Sequence, residues 1–147
     1  MAGGLEPAAY HNESNTDAPV VTISASGANA GYVRLWQSPV WSSDSSFIDK
    51  TITDTPFFWY TMLLTRQEEI YKAQTGSAQA HIYPRHIVEM PIGEINTADM
   101  ESFELKVTPL FIKIGENDIE NERLTKLRDT LLPELLNGKI DVSNIDI

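Results

Sequence analysis

Gln79, His81, Tyr83 and Arg85 form a short run of side chains able to meet a nucleic acid. A Gln amide can bond adenine through two hydrogen bonds and a guanidinium can do the same with guanine, while Tyr and His can reach phosphate oxygens. Ser77 belongs to the same segment, and Ser26, Asn29 and Lys72 are further candidates of this kind. The plain alternative is a polar surface turn whose Gln and His bond only local backbone. Other chemistries are served less well. His81 and His86 stand five apart near Glu89; a helix puts these imidazoles on different faces and a strand on opposite ones, so no metal site is expected. Ser24, Ser26, Asp44 and His81 include the residue types of a hydrolytic triad, but no Gly-x-Ser-x-Gly elbow accompanies them. No Walker or dinucleotide glycine pattern occurs either, so no nucleotide or other cofactor is expected to bind. The chain is read as non-catalytic.

Composition bounds what these residues belong to. The 147 residues suit one domain with an appendage, and 41% hydrophobic content is enough for a modest core. With no Cys there are no disulfides, thiolate nucleophiles or Cys-based zinc sites. The opening Met1-Ala2-Gly3-Gly4-Leu5-Glu6-Pro7 lacks a basic and an apolar region, and no stretch approaches the roughly 18 apolar residues of a membrane span. A soluble cytoplasmic protein without a membrane partner is the expectation. The net charge of −10 opposes a free-standing DNA binder, which gains affinity by releasing counterions with a basic footprint. Residues 1–95 hold five basic side chains against ten acidic, and residues 96–147 six against eleven. A chain of this charge that touches DNA needs a partner to supply phosphate attraction.

The elements that must position the candidates are readable from pattern. The first eighteen residues, rich in Gly, Ala, Asn, Ser and Asp, read as an irregular arm. Val20–Ser24 and Gly31–Trp36 are β-branched and aromatic runs joined by a Gly- and Asn-containing connection, which predicts a hairpin, and Ser45–Asp49 adds a third strand. Thr55-Pro56 offers an N-cap with proline at the first helical position, predicting a mostly buried helix over Phe57–Ala73 that ends near Gly76. The stretch Ala80–Met90 reads as a loop passing into a short strand or turn. Asn96 to about Leu105 has the look of a capped short helix, and Thr108-Pro109 opens a longer one to about Leu132, with Pro133 ending it. About 24 residues at 1.5 Å each make a rod near 36 Å, longer than a small core needs. Leu110, Ile114, Asn117, Asn121, Leu124, Arg128 and Leu131 follow a 4-3-4-3-4-3 spacing, the heptad period, and Leu127 lies beside that seam. Such a seam wants a partner helix, and Asn within it favours one register and one partner over others. The fold class expected is α+β: a small mixed β-sheet domain with a packed helix, followed by a long C-terminal coiled-coil-type helix.

Two segments then carry a resemblance. Glu120-Asn121-Glu122-Arg123-Leu124 through Ile140, with Leu127-Arg128-Asp129 and Leu131-Leu132-Pro133, follows almost position for position the "EN..L..LRD.LLPKLLSGEI" pattern that closes a conserved helix of type I restriction-modification specificity (S) subunits. The departures are Glu134, and Asn137-Gly138-Lys139 in place of Ser-Gly-Glu. Gly76-Ser77-Ala78-Gln79, His81-Ile82-Tyr83, Ile87 and Met90-Pro91-Ile92 resemble the "GsaqphIy" stretch that ends a target recognition domain of that family, with Ala80 for the usual Pro. The resemblance covers most of residues 19–143. It implies a partial target recognition domain over 1–95, a helical spacer and dimerisation region with a C-terminal tail over 96–147, and a half-subunit or truncated form. It further implies binding to double-stranded DNA at Ser26, Asn29, Lys72, Ser77, Gln79, His81, Tyr83 and Arg85. The helix would dock a methyltransferase (modification) subunit, with the restriction subunit as a further partner and a homodimer as the assembled form. The alternative it leaves is a helix-mediated interaction module that does not bind DNA.

Overall fold

A computed structural model describes Ala9 and residues 12–140. The sheet is three-stranded, β1 (Val20–Ser24), β2 (Val33–Trp36) and β3 (Ser45–Ile48), in the order β2-β1-β3 with both pairings antiparallel. The hairpin register sets Val20 against Trp36 and Ile23 against Val33, while Val21 faces Ile48 and Ser24 faces Ser45 across the other edge. The central position of β1 explains its composition. Every residue in it is buried, so a continuous Val-Val-Thr-Ile run replaces the alternation of a one-sided strand.

Helices α1 (Pro56–Thr65) and α2 (Gln67–Lys72) cover the sheet. The single helix expected over Phe57–Ala73 is therefore broken at Arg66, whose φ of −108° and ψ of 18° leave the helical region. Gln67 sits just past the break and bonds the β1–β2 connection, its amide donating to the Gly31 carbonyl (2.8 Å) and its oxygen accepting the Val33 N–H (2.9 Å). Gly31 itself has φ +84°, and a Cβ there would come within 2.8 Å of Ile70 Cγ2, so only glycine lets the connection approach α2 this closely. The core is Val21, Ile23, Ala30, Val33, Leu63, Ile70 and Ile82.

Three sequence expectations are narrowed or corrected. Residues 80–90, expected to pass from a loop into a short strand or turn, take the turn and not the strand: after two isolated bridges at His81 the chain enters a short helix, α3 (Pro84–Val88), with Pro84 at its first turn where the missing N–H costs nothing. The two C-terminal helices are one, α4 (Thr97–Leu136), which runs through both Pro109 and Pro133. A proline removes one i→i−4 bond. Here both prolines are exposed, and the turns beside them are reinforced by Thr108 Oγ1 donating to the Glu104 carbonyl and Thr130 Oγ1 to that of Lys126, 2.8 Å or less. The helix ends instead at Gly138 (φ +68°), where the Lys139 N–H bonds the Glu134 carbonyl and the Gly138 N–H that of Leu135, a Schellman cap. The expected irregular arm is, over residues 15–17, tied down. Asn15 exchanges two hydrogen bonds with the Ser42 backbone, Thr16 two with that of Val40, and the Asp17 N–H bonds buried Asp49. The rest of that arm before residue 12, apart from Ala9, lies outside the described residues.

The chain divides into two compact units, Met1–Phe111 and Ile112–Ile147. The first holds the sheet, α1 to α3 and the opening turns of α4; the described residues of the second are the remainder of that helix and its cap. No helix among the described residues is long and apolar enough to cross a membrane.

Candidate functional site

The segment singled out from sequence is a closed loop stitched to the sheet. Thr75 and His81 exchange two backbone hydrogen bonds of 3.0 and 2.8 Å, so residues 76–80 form the tip between them. Gly76 has φ +101°, and a Cβ on it would lie 2.2 Å from the Gln79 carbonyl oxygen. No other residue fits that turn. The far side of the loop pairs with the chain leaving β1: the Gly27 N–H bonds the Ala80 carbonyl (3.0 Å) and the Ile82 N–H that of Ala25 (2.9 Å). Ile82, 2% exposed, anchors the stem in the core. The tip therefore carries its side chains on a backbone fixed at both ends.

Ser77 and Gln79 are exposed on this tip, and Ser26 stands opposite His81 across the bridge. Below it the rings assemble. His81 stacks on Tyr83 at 6.0 Å between centroids, His86 meets Tyr83 edge-on at 5.5 Å, and the Arg85 guanidinium lies over the Tyr83 ring at 5.3 Å. Tyr83 is 46% exposed and Arg85 is exposed too, while His81 and His86 are half-buried. Pro84 starts α3 between them and sets Tyr83, Arg85 and His86 on successive positions of one turn. The result is a rigid surface with a free amide, aromatic rings and one preordered guanidinium, which matches the donors and stacking faces that nucleic acids meet.

Asn29 lies in the β1–β2 connection, where its carbonyl accepts the Tyr32 N–H, and Lys72 is the last residue of α2, so these two stand on elements apart from the stack. His86 enters the cluster although in sequence it stands out only for a metal site that is not expected; the cue was Pro84, which makes the expected short strand or turn a helical turn. Ser26 Oγ donates to Asp44 directly, without an imidazole between them. Among the described residues no group of three His, Asp or Glu side chains is placed to hold a metal.

The second unit presents a different face. Ile114 (52% exposed), Leu124 (51%), Leu127 (52%) and Leu131 (37%) are all open, with Asn117, Asn121 and Arg128 exposed among them. In the first unit Leu110 is exposed as well. Ion pairs on the helix, Lys113–Glu116 at 3.0 Å and Arg128–Asp129 at 2.7 Å, are exposed and contribute little. Among the described residues of the second unit no surface covers its leucines.

No family model matches the chain. A segment of 38 residues is 58% identical to the Type I restriction enzyme HindI specificity subunit of Haemophilus influenzae, covering 26% of this chain and 8% of that protein. Over 92% of its length the chain superposes on the type I restriction-modification S subunit of M. genitalium, with a TM-score of 0.66, 21% identity and 37% of that chain covered. The fold, a small antiparallel sheet with packed helices and a long C-terminal helix, is thus that of part of an S subunit, and the chain spans well under half the length of either relative.

Proposed function

We propose that this chain is a DNA-recognition element of a type I restriction-modification complex, a specificity subunit or part of one. The observation that carries the reading is the superposition on an S subunit over 92% of the chain. The local identity to a second specificity subunit supports it independently. In this reading the loop tip with Gln79, and the stack of His81, Tyr83 and Arg85, face double-stranded DNA, with Ser26, Asn29, Lys72 and Ser77 at the margins. The helix face from Leu110 to Leu131 docks the modification subunit or a second copy of the chain, and the restriction subunit joins that assembly in the cytoplasm. The chain positions the reaction and performs none: the methyl transfer and the cleavage belong to its partners.

A second reading has its own support in the net charge of −10: a helix-mediated interaction module that does not grip DNA. Co-expression with the modification subunit of the same operon separates the two. A co-purifying complex that shifts duplex DNA with sequence preference is the expected result; a complex that forms but leaves duplex unshifted at any salt supports the second reading, and absence of any complex refutes both.

A further inference from the structure

The N-terminus of α1 is completed by a side chain from another element. Pro56 has no N–H and the Trp59 N–H bonds the Thr55 carbonyl, which leaves Phe57 and Phe58 as the orphan donors of the first turn. Thr55 occupies the cap position, yet its hydroxyl lies 3.1 Å from that of Thr53 and makes no cap bond. Both orphan donors reach Glu104 of α4 instead: the Phe57 N–H bonds one carboxylate oxygen at 3.2 Å and the Phe58 N–H the other at 2.7 Å. Glu104 is 8% exposed. A carboxylate at that depth needs partners, and two N–H groups at the positive end of a helix supply them.

Aromatic contacts surround this bond pair. Phe57 stacks on Phe111 with centroids 4.7 Å apart, Phe58 meets Phe103 edge-on at 5.9 Å, and Tyr60 meets Phe111 edge-on at 5.7 Å. Rings of this kind tolerate several arrangements, and a helix displaced by one turn, about 5.4 Å, can re-form apolar contacts. Two N–H groups converging on one buried carboxylate select a register more sharply than the rings do, because in this register Glu104 is the one acidic side chain of α4 among the described residues that is buried.

We propose that Glu104 is the positioning residue that seats the opening part of α4, residues 97–111, on α1 in a single register, acting as the N-cap that α1 does not find in its own sequence. The proposal stands whether or not the chain binds DNA. It is tested on the full chain by amide exchange combined with paired spin labels at Leu64→Cys and Lys106→Cys, both exposed sites in a protein with no native Cys. In Glu104→Ala the Phe57 and Phe58 amides should lose protection by about tenfold, and the label-to-label distribution should broaden. Val21 and Ile23 amides of the sheet should change by less than about twofold, since the loosening is local. Glu104→Gln, which keeps one acceptor oxygen and the same volume, should show the same pattern in weaker form and decides the matter if the Ala variant does not fold. Uniform loss of protection through sheet and joint would make Glu104 a general stability residue and overturn the assignment. So would unchanged protection at Phe57 and Phe58 with a narrow label distribution.

Discussion

Gly76 holds the candidate interface together by having no side chain. Its φ of +101° and the 2.2 Å approach of the Gln79 carbonyl to a would-be Cβ make Gly76→Ala a test of the loop's preorganisation. It should cost at least about 1–3 kcal/mol in urea unfolding and expose the His81 and Thr75 amides to exchange. Arg85 is the side chain whose substitution reports on contact. If it meets phosphate, Arg85→Ala weakens duplex binding for all sequences and lowers the logarithmic salt slope by about one; if it meets guanine, preference at a single base pair relaxes instead. An unchanged affinity and slope would remove Arg85 from the interface. Asp49 makes a separate prediction about pH. Burial by itself raises its pKa, but bonds from the Thr51 hydroxyl and from the Asp17 and Thr51 N–H groups outweigh this and hold the carboxyl below its ordinary value. A depressed folded-state pKa contributes stability that is present above the unfolded value and lost as pH falls through the folded one. Asp49→Asn should therefore destabilise the chain by about 1–3 kcal/mol at neutral pH. The gap to wild type should narrow as pH falls from the ordinary Asp range through the lowered folded-state value, and a gap independent of pH down to acid unfolding would contradict this origin.

At the scale of elements, α4 carries the sharpest expectation. Among the described residues of the second unit nothing covers the exposed leucines, and a helix with so much open apolar surface is stable mainly when something packs on it. Leu124→Asp combined with Leu131→Asp should convert a dimer to a monomer in light scattering while helical circular dichroism falls only modestly, because both sites are exposed. A monomer mass for wild type and variant alike would leave the modification subunit, not a second copy, as the partner of that face. The prolines within α4 were legible in sequence and misleading there. Each looks like a boundary because it lacks an N–H, yet a single missing bond in an exposed ladder, beside Thr residues that bond back to the preceding turn, does not end a helix.

For the molecule as a whole, charge decides what the parts can do. A chain with 21 acidic and 11 basic residues repels duplex DNA at long range, so binding by the isolated chain should be undetectable near physiological salt. Complexation with a modification subunit that brings basic surface should restore it, with a salt slope larger than Arg85 and Lys72 alone can give. A strong shift by the isolated chain would show that the loop cluster suffices and that the net charge is not the governing quantity.

What the amino-acid sequence by itself determined is local. Two strands follow from β-branched and aromatic runs, the hairpin from its Gly and Asn connection, and the heptad spacing of the last helix from residue types at fixed intervals, because each depends on interactions within a few residues. The tertiary structure alone decided the rest. That the chain bonds the β1–β2 connection through Gln67 just past the break at Arg66, and that Glu104 rather than Thr55 caps α1, rest on partners 34 to 47 positions away, whereas the contacts among His81, Tyr83, Arg85 and His86 are only two or three positions apart and follow from the helical turn that Pro84 starts. No local pattern encodes the long-range pairings; only the packing of α2 on the β1–β2 connection and of α4 on α1 brings those groups within hydrogen-bond distance.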